Sequence, residues 1–235
     1  MRHNYFVLSL LSILFFASCT PEFRGELDNM LHEASITYYI SPSGNDSNSG
    51  NTPDDAWKSI EKINSLVLEP GSRIFFEGGS EFPGTLYLDQ DDANDASHPV
   101  KISSYGNGKA KILAGNGFGI NVYNTAGIKI NNLIVEGSGM YTNQESGIQF
   151  YNDLPGNIKL ENIEITNCEV YGFKIFGIVI GAWNQNSGFK DVLIENNKVH
   201  HCLDVGIGSY GHFSTTKTEL CTLQYQRKEL RSIRN

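Results

Sequence analysis

The chain has 235 residues and a formal net charge of −8, with 18 basic against 26 acidic side chains. That balance excludes a nucleic-acid binder, which needs a basic stripe. Four cysteines, one of them at the head of the chain, give no paired disulfide framework.

Met1-Arg2-His3-Asn4, the apolar run Tyr5 to Phe16 and Ala17-Ser18-Cys19 have the layout of a secretory signal. Phe16-Ala17-Ser18-Cys19 resembles a bacterial lipobox, with Cys19 acylated as the mature N-terminus; an ordinary signal peptide with an incidental cysteine is the alternative. The expected division is a signal over 1–18, a polar tether over 19–35, a body over 36–217 and an atypical basic tail over 218–235. Removing the leader leaves about 215 residues, the size of one domain. The lipobox predicts export across the inner membrane and an outer-membrane lipoprotein, held by a lipid on Cys19 and facing the periplasm or the surface.

Thr37-Tyr38-Tyr39-Ile40 reads as a strand, and Ser41 to Gly50 as turns. Asp54-Asp55 can cap a helix with Trp57, Ile60, Ile63 and Val67 on one face, laid across the open end of a core. Strands are expected at Arg73–Phe76, Thr85–Leu88, Pro99–Ile102 and Lys111–Leu113. Between them Asp89, Asp91, Asp92 and Asp95 form an acidic run that could hold Ca2+ through hard oxygen ligands. The rival reading is a solvated turn, with no cofactor required.

From Gly119 onward the sequence repeats. A Gly-Ile step returns at 119, 147, 177 and 206, at intervals of 28, 30 and 29 residues, which is a solenoid period. Apolar residues alternate with period 2 inside each repeat, as strands do. Expected columns are Leu133/Ile163/Val192, Val135/Ile165/Ile194, Met140/Val170/Val199 and Ile130/Leu160/Phe189. Gly137, Asn167 and Asn196 read as a left-handed corner. The predicted fold is all-β: a right-handed parallel β-helix with three short strands per coil.

One outward column reads Tyr123, Tyr151, Gly181 and Tyr210, with Trp183 just beyond. Such an aromatic strip can stack on sugar rings while its hydroxyls bond their edges. Rung-to-rung stabilisation of the sheet is the alternative. His200, His201, Asp204 and His212 cluster late in the chain, with Lys174 and Lys198 on neighbouring coils. A histidine or lysine could serve as the base of a lyase. Hydrolysis would need two facing carboxylates, and spacing identifies none. Alternation along a strand would send one of His200 and His201 inward.

After Gly211 no glycine follows, and Gln226 to Arg234 is basic. Leu220, Leu223, Leu230 and Ile233 fit a capping helix, but the foreign tail of a truncated or frame-shifted gene is the favoured reading.

Tyr38 to Asp46, Gly50, Trp57-Lys58-Ser59-Ile60, Pro70 to Ile74 and Ile102 to Gly106 resemble the first coils of secreted proteins of the pectin-lyase-like superfamily. The resemblance implies a β-helix monomer whose partner is extracellular polysaccharide. It implies either lyase or hydrolase action, or binding without turnover. A non-catalytic surface protein and an inactive fragment of a longer enzyme are the further alternatives.

Overall fold

The structure is a computed structural model that describes residues 36–184 and 186–211. β1 (Thr37–Ile40) leads to a first coil of β2 (Arg73–Glu77), β3 (Glu81–Pro83) and β4 (Leu86–Leu88). β5 (Val100–Tyr105), β6 (Ala110–Gly115) and β7 (Ile120–Tyr123) make the second. β8 (Ile128–Asn131), β9 (Leu133–Gly137) and β10 (Ile148–Asn152) make the third. β11 (Lys159–Leu160) precedes a fourth coil of β12 (Ile163–Thr166), β13 (Glu169–Tyr171) and β14 (Phe176–Ala182). β15 (Gly188–Phe189) precedes the last described coil, β16 (Val192–Glu195), β17 (Lys198–His200) and β18 (Val205–Tyr210).

Equivalent strands stack in parallel into three faces. Sheet A runs β1-β2-β5-β8-β12-β16, sheet B β3-β6-β9-β13-β17 and sheet C β4-β7-β10-β14-β18. This is the expected right-handed parallel β-helix, the hand that parallel crossovers adopt.

The Gly-Ile repeat marks the start of sheet C. Ile120, Ile148, Ile178 and Ile207 pair in one file, each pointing inward. The glycines are required by close approach. A methyl group on Gly119, Gly147 or Gly177 would lie 2.1, 2.4 and 2.3 Å from a Cγ1 of Val135, Val170 and Val199. Each glycine is thus the slot into which a sheet B valine of the next coil packs. No side chain fits there.

The other columns need correction between the third and fourth coils. Ile163 and Ile165 pair with Val192 and Ile194 as expected, but below them lie Ile128 and Ile130, not Leu133 and Val135. Leu133 and Val135 belong to sheet B, where Val135 pairs with Val170 and Val170 with Val199. Met140 sits in no strand, and Leu160 pairs with Phe189 but not with Ile130. The left-handed corner is Asn132, Asn167 and Asn196, with φ of 56°, 54° and 55°. Gly137 is inside β9.

The cause is two corner loops. Residues 138–147 separate β9 from β10, and 153–162 separate β10 from β12. Buried amides anchor both. Asn143 Nδ2 donates to the carbonyls of Gly115 and Gly117, and Asn152 Nδ2 to those of Ile158 and Gly188. Both side chains are fully buried, so these bonds satisfy groups that would otherwise be costly.

The helix near the start is shorter than the sequence pattern suggests. α1 (Ile60–Asn64) begins at Ser59, whose hydroxyl accepts the Lys62 N–H. Asp54 and Asp55 lie in a separate 3-10 turn capped by Thr52, and the Asp55 carboxylate is bonded to Ser49. Ile60 and Ile63 are buried, whereas Val67 is 64% exposed. Trp57 instead bridges to Ile40 and stacks on Tyr38 at 4.7 Å.

Candidate functional site

Sheet C carries the aromatic column outward, as its register requires. Tyr151 pairs with Tyr123 on one side and Gly181 on the other, and Gly181 pairs with Tyr210. Tyr123 and Tyr151 stack at 6.0 Å and 22°. Tyr210 then leans across Gly181 to bring its ring 6.3 Å from Tyr151. Phe176 and Trp183 flank it at 6.2 and 6.5 Å. Trp183 is 59% exposed and Tyr210 38%.

The hydroxyl of Tyr123 donates to Asp153 Oδ2 at 2.7 Å, while Asn124 Nδ2 donates to Oδ1 at 2.8 Å. Asn124 Oδ1 accepts the Asp153 N–H in return. A carboxylate is therefore fixed at the end of the aromatic strip. The sequence reading missed it, because Asp153 reaches the column only through the loop after β10. Tyr123 is held protonated above the ordinary phenol range, chiefly by its bond to Asp153. Burial does the same for Tyr151 and Tyr210. All three hydroxyls remain donors at neutral pH. The adjoining outward column, Tyr87, Asn121, Gln149, Val179 and Gly208, holds no charge.

The histidines belong to a different face. Sheet B presents a continuous ionic line outward. Lys111 Nζ lies 3.1 Å from both Glu81 and Glu136, and Tyr171 donates to Glu136 at 2.6 Å. The Tyr171 ring stacks on His200 at 4.9 Å and 8°, and His200 Nε2 meets Glu169 Oε1 at 3.0 Å. Lys198 Nζ reaches the same oxygen at 2.7 Å. Burial, followed by the bond to Glu136, pushes the Tyr171 hydroxyl up to about 12. The Tyr171 bond holds Glu136 low, and Lys198 then His200 hold Glu169 low.

His201 follows His200 but does not turn inward. Its φ of 51° breaks the strand alternation and leaves it exposed at a corner. Asp204 and Lys174 run alongside that corner through backbone bonding, Asp204 N–H to the Lys174 carbonyl at 3.1 Å. The Lys174 ammonium donates to Gln144 instead of joining the histidines. His212, Cys19 and the tail from 218 lie outside the described residues.

In the acidic run, both Asp92 oxygens accept backbone N–H groups, from Leu68 and Asp89. Asp89 accepts the Asp91 N–H, and Asp95 bonds the Ser97 N–H and His98. Among the described residues no group of three or more His, Cys, Asp or Glu side chains converges as a metal site.

No protein-family profile matches the chain. Over 87 residues, 34% of this chain, it is 39% identical to a lacto-N-biosidase of Bifidobacterium longum subsp. longum, and covers 5% of that protein. The native GH136 lacto-N-biosidase of Eubacterium ramulus superposes on 74% of this chain with a TM-score of 0.54 and 17% identity, over 36% of its own length. A rhamnogalacturonan lyase covers 80% of this chain at 16% identity and a TM-score of 0.38, too loose a likeness to argue from. The chain thus spans a small part of either lacto-N-biosidase, and what it shares with the solved one is the fold.

Proposed function

We propose that this chain is a carbohydrate-active β-helix protein that holds a neutral glycan along the outer face of sheet C. The carrying observation is the aromatic strip, in which Tyr151 comes within 6.0 Å of Tyr123 and 6.3 Å of Tyr210 across four successive coils. The exposed Trp183 ring and the edges of the stacked phenols offer apolar surface to sugar rings, and the protonated hydroxyls, with Asp153 at the end, match sugar hydroxyls. The likeness to lacto-N-biosidases supports a carbohydrate partner of this kind.

Charge favours a neutral sugar over a uronate. Lyase action on a uronic acid needs a cation against the carboxylate, and both outward columns of sheet C between Tyr87 and Tyr210 are uncharged. Asp153 would repel a uronate. In this reading the protein is exported and anchored by a lipid on Cys19 at the outer membrane, as a monomer close to glycans too large to import.

Affinity electrophoresis or calorimetry against neutral glycans and polyuronates tests the proposal. Retention by a neutral glycan that Tyr151→Ala weakens supports it. Retention by polyuronates alone, or retention indifferent to Tyr151→Ala, overturns it.

A further inference from the structure

The outer face of sheet B holds chemistry that a glycan on sheet C does not use. Glu169 is held ionised by Lys198 and His200. An ionised carboxylate only accepts, so the hydrogen in the 3.0 Å contact is on His200 Nε2. The His200 ring lies flat against Tyr171, which fixes its plane. Its other nitrogen, Nδ1, meets Nδ1 of His201 at 2.5 Å. Two ring nitrogens at that distance share one hydrogen.

The tautomers follow. With one hydrogen on each ring, His200 carries its own on Nε2, so His201 supplies the shared one from Nδ1. That arrangement leaves His201 with a bare lone pair on Nε2. Its side chain is exposed, and among the described residues nothing is bonded to that nitrogen. The corner that places it is left-handed, at a φ of 51° close to those of Asn132, Asn167 and Asn196, and the Gly172 N–H holds the His201 carbonyl at 3.1 Å.

The geometry points to a proton relay, Glu169–His200–His201, that presents His201 Nε2 as an oriented, unprotonated base for the hydroxyl of a sugar or another alcohol. The hydroxyl proton passes to His201 Nε2 while the oxygen keeps both electrons of the broken O–H bond. The Nδ1 hydrogen of His201 shifts to His200 Nδ1. The positive charge comes to rest on His200, against the Glu169 carboxylate, instead of on the exposed ring. A base aligned by a second group that is itself aligned by a carboxylate is the general logic of activated nucleophiles. The relay stands on sheet B and the tyrosines on sheet C, so either assignment can fail alone.

Nitrogen NMR of the full chain labelled in its histidine rings, at near-neutral pH, reads the tautomers directly. The expected result is His200 protonated at Nε2 and His201 protonated at Nδ1. His201 protonated at Nε2 overturns the relay. His200→Phe keeps the stack on Tyr171 and removes both nitrogens. In that variant His201 is expected to revert to the Nε2–H form, and diethylpyrocarbonate should acylate its Nε2 on the order of fivefold more slowly, the worth of one neutral hydrogen bond. An unchanged rate and tautomer overturn the proposal. Should circular dichroism show His200→Phe unfolded, Glu169→Ala, which removes the acceptor that fixes the His200 tautomer, takes the same measurement with the same two outcomes.

Discussion

Tyr210 lies across Gly181. A methyl group at that glycine would sit 2.4 Å from Tyr210 Cζ, and only its absence lets the phenol ring close on Tyr151. The gap in the tyrosine column is therefore the hinge of the aromatic strip and not a defect in it.

Gly181→Ala should displace the Tyr210 ring while leaving the inward file of isoleucines intact. Glycan retention is expected to fall on the order of tenfold, similar to Tyr210→Ala, since an aromatic contact contributes about 1 kcal/mol beyond its area. Affinity electrophoresis of the two variants checks this, with circular dichroism confirming the fold. Retention at the wild-type level in Gly181→Ala would detach Tyr210 from binding.

Phe150 is fully buried between Val122 and Ile180 and meets Phe189 edge-on at 6.2 Å. Phe150→Ala should cost about 3 to 5 kcal/mol, because three coils share the space it fills. A urea titration would show a much lower midpoint with little change in slope.

Asn167 tests the corner. With φ of 54°, Asn167→Ala should destabilise by about 1 kcal/mol, whereas Asn167→Gly should stay close to wild type. The two melting curves decide between a backbone demand and a side-chain bond: equal losses would indict the amide.

Stability should fall on both sides of neutral pH. Glu136 and Glu169 ionise at lower pH in the folded chain than in the unfolded one, so their contribution is complete above the ordinary carboxylate range. It drains as pH drops through their folded values. Tyr171 is raised from 10.0 to about 12, so its contribution is complete below 10.0 and is lost as pH climbs to about 12. Thermal melts across pH should show Tyr171→Phe flattening the alkaline limb and Glu169→Gln the acid limb. Limbs unchanged by these variants would mean that the sheet B line adds nothing to folding.

Cys19→Ser should release the protein from membranes when expressed with its leader. Fractionation followed by immunoblotting checks this, and continued membrane association would rule out the lipid anchor.

The sequence made sheet C legible and misplaced sheets A and B only where the third coil meets the fourth. Along sheet C from the second coil on, the steps are 28 to 30 residues, so Ile120, Ile148, Ile178 and Ile207 line up at an almost fixed step. From the third coil to the fourth, sheets A and B advance by 35, from Ile128 to Ile163 and from Val135 to Val170. The loop before β10 adds length ahead of sheet C and the loop after it adds length behind. A period measured on one face cannot tell which corner holds the extra chain.

The same shift concealed the sheet B chemistry. Glu136 and Tyr171 are also 35 apart, so columns drawn at 30 never placed the phenol over the carboxylate. His200 was visible as a residue but not as the next step of that line. Asp153 escaped for a related reason: it follows the strand, where neither alternation nor the repeat speaks for it. The role of Gly181 was not legible either, because a missing side chain gives no hint that Tyr210 fills its place.

Between the third and fourth coils the extra length of chain sits at the vertices. Residues 138–147 and 153–162 bulge between strands whose inward side chains keep one shared file, tied down by Asn143 and Asn152. Such a body can lengthen, shorten or exchange its rim segments with little cost to the interior. What it recognises can therefore drift quickly while its architecture stands still.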